Sequence, residues 1–361
     1  MNPVSRPAIR ENVSLVGHHT FRLDVQARYF AKVRSVEELR LFLGERRSGE
    51  RLLLLGRGAN LLFSGDFDGL VLKTELHGRR VVSEDSESVV LDVAAGEDWP
   101  RLVADVVRRG WGGIENLALV PGTVGAAPIQ HIACYGHNLQ DVFDSLEAVS
   151  VEDGTVRRFS REECRFGYRE SAFRKELRGA YAVTSVRLRL SKHPALNTSY
   201  RSRYESLEDE LAKMASKPYG VSDVYRAVVA IRRRKLPDIK RLGTAGSFFK
   251  NPVVSRDRFL ALNRAFPGLP SYPVRRLSYD QPGPPQAPAG ERVRVPAGWL
   301  IEQMGWKGRR VGHCGLWPRQ SLTVVNYGGA TPREVLDLVE SVREAFRRRY
   351  DILLENEVEI V

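Results

Sequence analysis

Short apolar runs alternate with amphipathic stretches through the N-terminal part of the chain, the pattern of strands interleaved with helices. A strand is predicted near Tyr29 to Val33 and a helix from Ser35, where Ser35-Val36-Glu37-Glu38 forms a capping box with Glu38 placed to return a bond to the cap backbone. Arg51 to Leu55 reads as a short apolar strand running into Gly56-Arg57-Gly58-Ala59-Asn60, a turn whose exposed amides can cradle a phosphate. It is not the Rossmann fingerprint, because the sixth position is Leu61 rather than glycine and no helical pattern follows. Strands at Val89 to Val93 and Tyr181 to Leu190, with a helix around Pro100 to Arg109, predict an α+β unit from Val81 to about Leu190. A helix from Val221 stops at Pro237, and the last helix opens on Thr331, Pro332 and Glu334. Ile352 to Val361 alternates as a strand, which puts Glu355, Glu357 and Glu359 on one face.

A chain of 361 residues exceeds one ordinary core, so two or three domains are expected. No apolar stretch approaches a bilayer span and Met1 to Arg6 lacks a signal core, which predicts a cytoplasmic protein. Cys134, Cys164 and Cys314 have no metal-like spacing, so neither a disulfide framework nor a metal site is expected. The net charge of +12 suits nucleic acid, an anionic surface or phosphate-rich small ligands. No nucleic-acid-binding motif accompanies it, and no nucleic-acid partner is expected.

Candidate chemistry concentrates in a few segments. In Gly246-Ser247-Phe248-Phe249-Lys250-Asn251-Pro252 a hydroxyl sits among small residues, with Gly243-Thr244-Ala245 permitting close approach and two aromatics anchoring the segment. The small-residue run from Glu115 to Gln130 reads equally as a bed for an extended ligand and as a buried glycine-rich loop. Arg232-Arg233-Arg234-Lys235 at a helix C-terminus complements the helix dipole or clamps an anion. The glutamates of the last segment, if crowded, raise one another's proton affinity. The proline-rich run from Gln281 to Pro288 reads as an exposed loop.

Taken in order, His19-Thr20-Phe21, Gly56 to Phe63, Glu115 to Gln130, Cys164-Arg165-Phe166-Gly167-Tyr168-Arg169, Lys235-Leu236-Pro237, Gly246 to Pro252, Ala297 to Glu302 and Glu357-Val358 resemble the UDP-N-acetylenolpyruvoylglucosamine reductase family over nearly the whole chain. The resemblance implies an α+β architecture: an FAD-binding portion of two α/β subdomains of vanillyl-alcohol-oxidase-like type over residues 1–80 and 81–235, then a separate α+β substrate-binding domain over 236–361. It implies FAD as bound cofactor and NADPH as exchanging hydride donor. The implied substrate is UDP-N-acetylenolpyruvoylglucosamine, reduced in peptidoglycan synthesis by a monomer. Ser247 would donate the proton, with Arg169 and Glu357 holding the substrate carboxylate. Tyr204, Arg232, Lys235, Asn251 and Gln303 would meet the uridine diphosphate, with Tyr200 competing with Tyr204 for its role. FAD would lie along Gly56, Gly58, Asn60, Leu61, Pro121, Gly122, Thr123, Gly125, Ala126, Gln130 and Tyr168. Two positions depart from the family pattern: Arg22 stands where glycine usually follows Thr-Phe, and Glu359 where arginine usually follows Glu-Val. The competing readings are another FAD-dependent oxidase of this fold and a non-redox, basic nucleotide-binding protein.

Overall fold

The computed structural model describes residues 8–47, 49–202, 205–274 and 291–361. Its first sheet runs in the order Arg10–Ser14, Gln26–Val33, Phe67–Thr74, Leu52–Leu55, with the last three strands parallel. Parallel strands are covered on both faces, and here each face feeds a different core. Leu70 and Leu72 join one apolar cluster and Phe67 and Val71 the other; Leu52 and Leu54 pack on the first, Leu53 and Leu55 on the second. The unbroken Leu52-Leu53-Leu54-Leu55 run therefore has no solvent-facing side. Ahead of it, Ser35 caps the helix Val36–Glu45 by accepting from Glu38 N at 3.1 Å. Glu38 accepts in return from Arg34 N at 2.7 Å, one residue before the expected cap.

The second sheet is antiparallel, in the order Val156–Ser160, Phe143–Ser150, Tyr181–Ser191, Ser88–Ala94, Arg79–Glu84. The helix Trp99–Arg108 buries Trp99, Leu102, Val103, Val106 and Val107, the i, i+3, i+4, i+7 stripe expected of a helix lying on a core. The same core takes up the helices Leu207–Met214 and Val221–Lys235.

The second core belongs to the C-terminal third and to the remaining face of the first sheet. An antiparallel sheet of Gly243–Ser247, Gln320–Asn326, Cys314–Trp317 and Arg310–Val311 lies beneath the helix Pro332–Tyr350, whose Thr331–Glu334 capping box forms as predicted. A smaller sheet places Arg292–Arg294 between Val253–Ser255 and Tyr272–Pro273.

The predicted strand from Ile352 to Val361 does not form. Only Glu359–Ile360 is a strand, parallel to Leu61–Leu62, and the preceding residues cross to Phe249 through a single bridge at Asn356. Alternation along this segment reflects burial of Leu354 and Val358 in the second core without a continuous partner strand. No helix among the described residues is long and apolar enough to cross a membrane. The predicted 281–288 loop and Tyr204 lie outside the described residues.

Candidate active site

Ser247 ends the strand Gly243–Ser247. The ladder to Gln320–Asn326 slips between Thr244 and Ser247, where Gly246 adopts φ +83° in a bulge that re-aims the serine. A Cβ on Gly246 would meet nothing within 4 Å, so this side of the bulge is open. Thr244 braces it, donating to Val324 O at 2.8 Å and accepting from Gly246 N at 3.0 Å. The Thr20 hydroxyl donates to Thr244 O at 2.6 Å, while a Cβ on Gly243 would stand 2.1 Å from the Phe21 oxygen. Two main chains thus touch where the sequence supplies glycine.

Phe248 and Phe249 are buried, and their main chain carries the C-terminal segment: Glu357 N donates to Phe248 O at 2.8 Å and Lys250 N to Glu355 O at 2.9 Å. This brings Glu357 to Arg169, whose Nε lies 2.8 Å from Oε1. The N–H is not aligned on that oxygen, so the contact is one of charge rather than a directed hydrogen bond. Arg169 takes φ +56° in a turn closed by reciprocal Gly167–Glu170 hydrogen bonds at 2.9 and 3.2 Å. A long side chain in the left-handed region is uncommon, and such strain concentrates at functional sites.

Two residues that the sequence does not single out fix this pair. Arg174 donates to Arg169 O at 3.3 Å and to Glu357 O at 3.0 Å, so one guanidinium spans both main chains. His131, buried and stacked on Phe166 with ring centroids 4.7 Å apart, bonds through Nδ1 to Gly167 O at the start of the Arg169 turn. Burial lowers its pKa below the usual imidazole value.

The three glutamates do not crowd one another. Glu355 faces Lys250 at 3.4 Å, Glu357 faces Arg169, and Glu359 faces Arg178 at 2.7 Å. Like-charge repulsion among them is therefore replaced by three separate ion pairs, and the crowding expected of this face is absent. Glu359 finds its own cation where the family pattern has arginine. Arg22 adopts φ +56°, which explains why glycine is usual there.

The glycine-rich segments meet as a cradle. A Cβ on Gly56 would stand 2.5 Å from Thr123 Oγ1, one on Gly125 2.5 Å from Ala95 Cβ, and one on Gly58, at φ +60°, 2.5 Å from His19 Cβ. Gly122, at φ +143°, has nothing within 4 Å of its missing side chain. The two loops are thus packed closely, with an open face at Gly122 where a flat ligand can approach main chain. Behind them Lys73 donates to Gly56 O, and burial lowers its pKa to about 8. Arg57 pairs with Asp98, whose main chain bridges to Thr123. Asn60 joins the cradle to the Arg169–Glu357 pair, donating to Gln130 Oε1 at 2.8 Å and to Glu357 O at 3.2 Å. Leu61 opens the short strand paired with Glu359–Ile360, while Pro121 precedes Gly122 and Ala126 starts the helix Ala126–Gln130.

Of the residues expected at the diphosphate, Lys235 is paired with Glu205 at 2.9 Å. Arg232 donates to Leu119 O at 3.2 Å and reaches Cys134 Sγ at 3.9 Å. The Asn251 side chain accepts from Ala297 N at 3.1 Å, and its main chain bonds to the Tyr168 hydroxyl, which links Asn251 to the residue before Arg169. Tyr200 packs edge-on against Tyr135 at 4.9 Å, its ring committed to the first core. Gln303 is not brought to this group: it is exposed at the far end of the helix Ala297–Gln303, about 9 Å of helical rise from Ala297. The glutamine at the near end is Gln320, whose Oε1 lies 3.6 Å from the Cβ position of Gly298. Ordering along the sequence does not reveal this, because Gln320 arrives from a strand of the neighbouring sheet.

Comparison with known proteins bears directly on this arrangement. Residues 27–160 match the FAD binding domain model and residues 238–361 the model of the UDP-N-acetylenolpyruvoylglucosamine reductase C-terminal domain. A UDP-N-acetylenolpyruvoylglucosamine reductase from Pseudomonas aeruginosa is 43% identical over 97% of this chain and 98% of its own length. This chain belongs to the UDP-N-acetylenolpyruvoylglucosamine reductase family. Another such reductase, from Flavobacterium johnsoniae, is 38% identical over 98% of the chain and 99% of its own length. The crystal structure of the Thermus caldophilus reductase superposes with a TM-score of 0.64 at 23% identity, covering 98% of this chain and 99% of that one, and shows that the fold is shared. With this family membership and its FAD binding domain, the chain is an FAD-dependent oxidoreductase.

Proposed function

We propose that this protein reduces the enolpyruvyl ether of UDP-N-acetylenolpyruvoylglucosamine to UDP-N-acetylmuramate in peptidoglycan synthesis, with NADPH as the electron source. The observation that supports the reading is the chain of contacts from Ser247 through the main chain of Phe248 to Glu357, and from the Glu357 carboxylate to Arg169, beside the glycine cradle. Residues 1–80 and 81–235 would form the cofactor portion and 236–361 the substrate portion, a division supported by the two matched segments. The protein would act as a cytoplasmic monomer.

The cradle residues Gly56, Gly58, Asn60, Leu61, Pro121 to Gly125, Ala126, Gln130 and Tyr168 would hold FAD, which when bound supplies hydride from NADPH to the terminal enolpyruvyl carbon. Ser247 gives its hydroxyl proton to the adjacent carbon, completing addition across the double bond. A serine hydroxyl is a weak acid, so it must stand within about 3 Å of that carbon and recover its proton from neighbours. Arg169 receives the negative charge pushed onto the substrate carboxylate, and Glu357 would hold the guanidinium in place for it. A preorganised donor aimed at developing charge is typically worth about 10²- to 10³-fold in rate. Lys235, Asn251, Arg232 and Tyr204 would orient the diphosphate, with Gln320 the glutamine at Asn251's end of the helix.

Anaerobic stopped-flow spectroscopy tests this. The flavin-loaded protein is reduced with NADPH and then mixed with UDP-N-acetylenolpyruvoylglucosamine. Return of the oxidised flavin spectrum with formation of UDP-N-acetylmuramate is expected. Flavin that is reoxidised by oxygen but not by this substrate would make the protein an oxidase and overturn the reading.

A further inference from the structure

The charges around the site largely cancel in place. Arg169 has Glu357 at 2.8 Å, Lys235 has Glu205 at 2.9 Å, and Lys250 has Glu355 at 3.4 Å. Among the described residues three nearby guanidinium groups meet no carboxylate: Arg174, Arg232 and Arg294. The first two donate to main-chain carbonyls. Arg294 differs from both.

Arg294 lies on the middle strand of the small sheet, opposite Val253 and Tyr272, and is only 5% exposed. Its Nε is fully buried with no hydrogen-bond partner. Its guanidinium carbon stands 3.8 Å from the ring centroid of Tyr168, a cation–π contact that offsets part of the lost hydration but uses none of its five N–H donors. A buried charge left in this state is costly, and an anion that completes it recovers the cost. Its neighbours fix its place. Tyr168 precedes Arg169, and the Tyr168 hydroxyl bonds to the Asn251 main chain, so Arg294 rests on the ring that connects Arg169 to Asn251.

We propose that Arg294 recognises the diphosphate of the nucleotide-sugar substrate, an inference that rests on the function proposed above. The substrate carboxylate has Arg169, held by Glu357, for its partner. The diphosphate brings two further negative charges, and Lys235, its expected cation, is already neutralised by Glu205. A planar guanidinium matches phosphate oxygens in pairs, which a lysine does not. Arg294 is then a residue that positions substrate and takes no part in proton or hydride transfer.

The test is calorimetric titration of the flavin-loaded protein with UDP, uridine and UDP-N-acetylmuramate, comparing wild type with Arg294→Met. UDP affinity is expected to fall roughly 10- to 100-fold, the range for losing hydrogen bonds to a charged group, with uridine affinity and flavin absorbance unchanged and a melting temperature equal to or above that of wild type. Equal UDP affinity in the two proteins, or parallel losses for UDP and uridine, would overturn the inference. Loss confined to UDP-N-acetylmuramate would assign Arg294 to the carboxylate and also overturn it. Wild type that does not bind UDP at all would overturn the proposed function and this inference with it. If Arg294→Met does not fold, Arg294→Gln removes the charge while remaining polar against Tyr168 and is read by the same outcomes.

Discussion

The loops around Gly56–Asn60 and Pro121–Gly125 meet through main chain and small side chains, whereas the ground between Arg169, Lys235 and Arg294 is held by full charges. The first is a steric construction: its glycines are fixed by what a Cβ would strike, at 2.5 Å for Gly56, Gly58 and Gly125 alike. The second is electrostatic, and most of its cations already have a partner that substrate must join or replace. Substitutions should therefore fail differently on the two sides. A cradle change removes the cofactor and with it every activity, while a change on the charged side leaves a flavoprotein that handles one substrate badly.

The sharpest separation comes from Ser247→Ala. Flavin content and reduction by NADPH should be unchanged, with the second half-reaction slowed about 10²- to 10⁴-fold, the usual worth of a positioned proton donor. Single-turnover kinetics of the two halves decide it, and equal slowing of both would place Ser247 outside the proton transfer. On the cradle side, Gly58→Ala combines positive φ with a close approach to His19 and should cost about 2–5 kcal/mol in strain and overpacking. Flavin absorbance after reconstitution should be lost together with both half-reactions.

The cradle should also be the acid-sensitive side. Burial lowers His19 to about 4 from the ordinary 6.5. Between those values the unfolded chain binds a proton that the folded one refuses, so stability rises with pH from about 4 to 6.5 and levels off above. Melting temperature against pH, compared with His19→Gln, should show a flatter acid limb in the variant. The smallest effect is expected from Arg22→Gly. Relief of a left-handed non-glycine residue, less the added freedom of the unfolded chain, should stabilise by about 1 kcal/mol or less, visible as a small rise in melting temperature.

How far the sequence carried these features depends on the range of the interactions behind them. The caps at Ser35 and Thr331, the apolar stripe of Trp99–Arg108 and the four leucines before Gly56 are legible because each is decided within one helical turn or one strand. Resemblance adds the order of the motifs, and the fold places Ser247, Glu357 and Arg169 within one connected network. The segment from Ile352 to Val361 has the right alternation for a strand but no continuous partner, pairing only at Asn356 and at Glu359–Ile360, and pairing is not written in the strand itself. Gln303 follows directly on the matching Ala297 to Glu302 motif, whereas the fold brings Gln320 to the Asn251 end of that helix from a neighbouring strand. Arg174 and Arg294 leave no local trace: among many arginines, what distinguishes them is the carbonyls one spans and the ring on which the other rests.

The shared sheet also has a consequence for the chain as it is made. One face of Phe67–Thr74 is covered by residues that follow soon after, but the other, carrying Val71, waits for Ala245 and everything beyond it. At ribosomal rates of ~5–20 residues per second that interval is roughly 10–35 s. During it a nascent N-terminal third has only Leu15, Phe21, Leu23, Val25, Leu62 and Phe63 of its own against that face, with the larger part of its cover still to be made, a natural point of engagement for a holding chaperone.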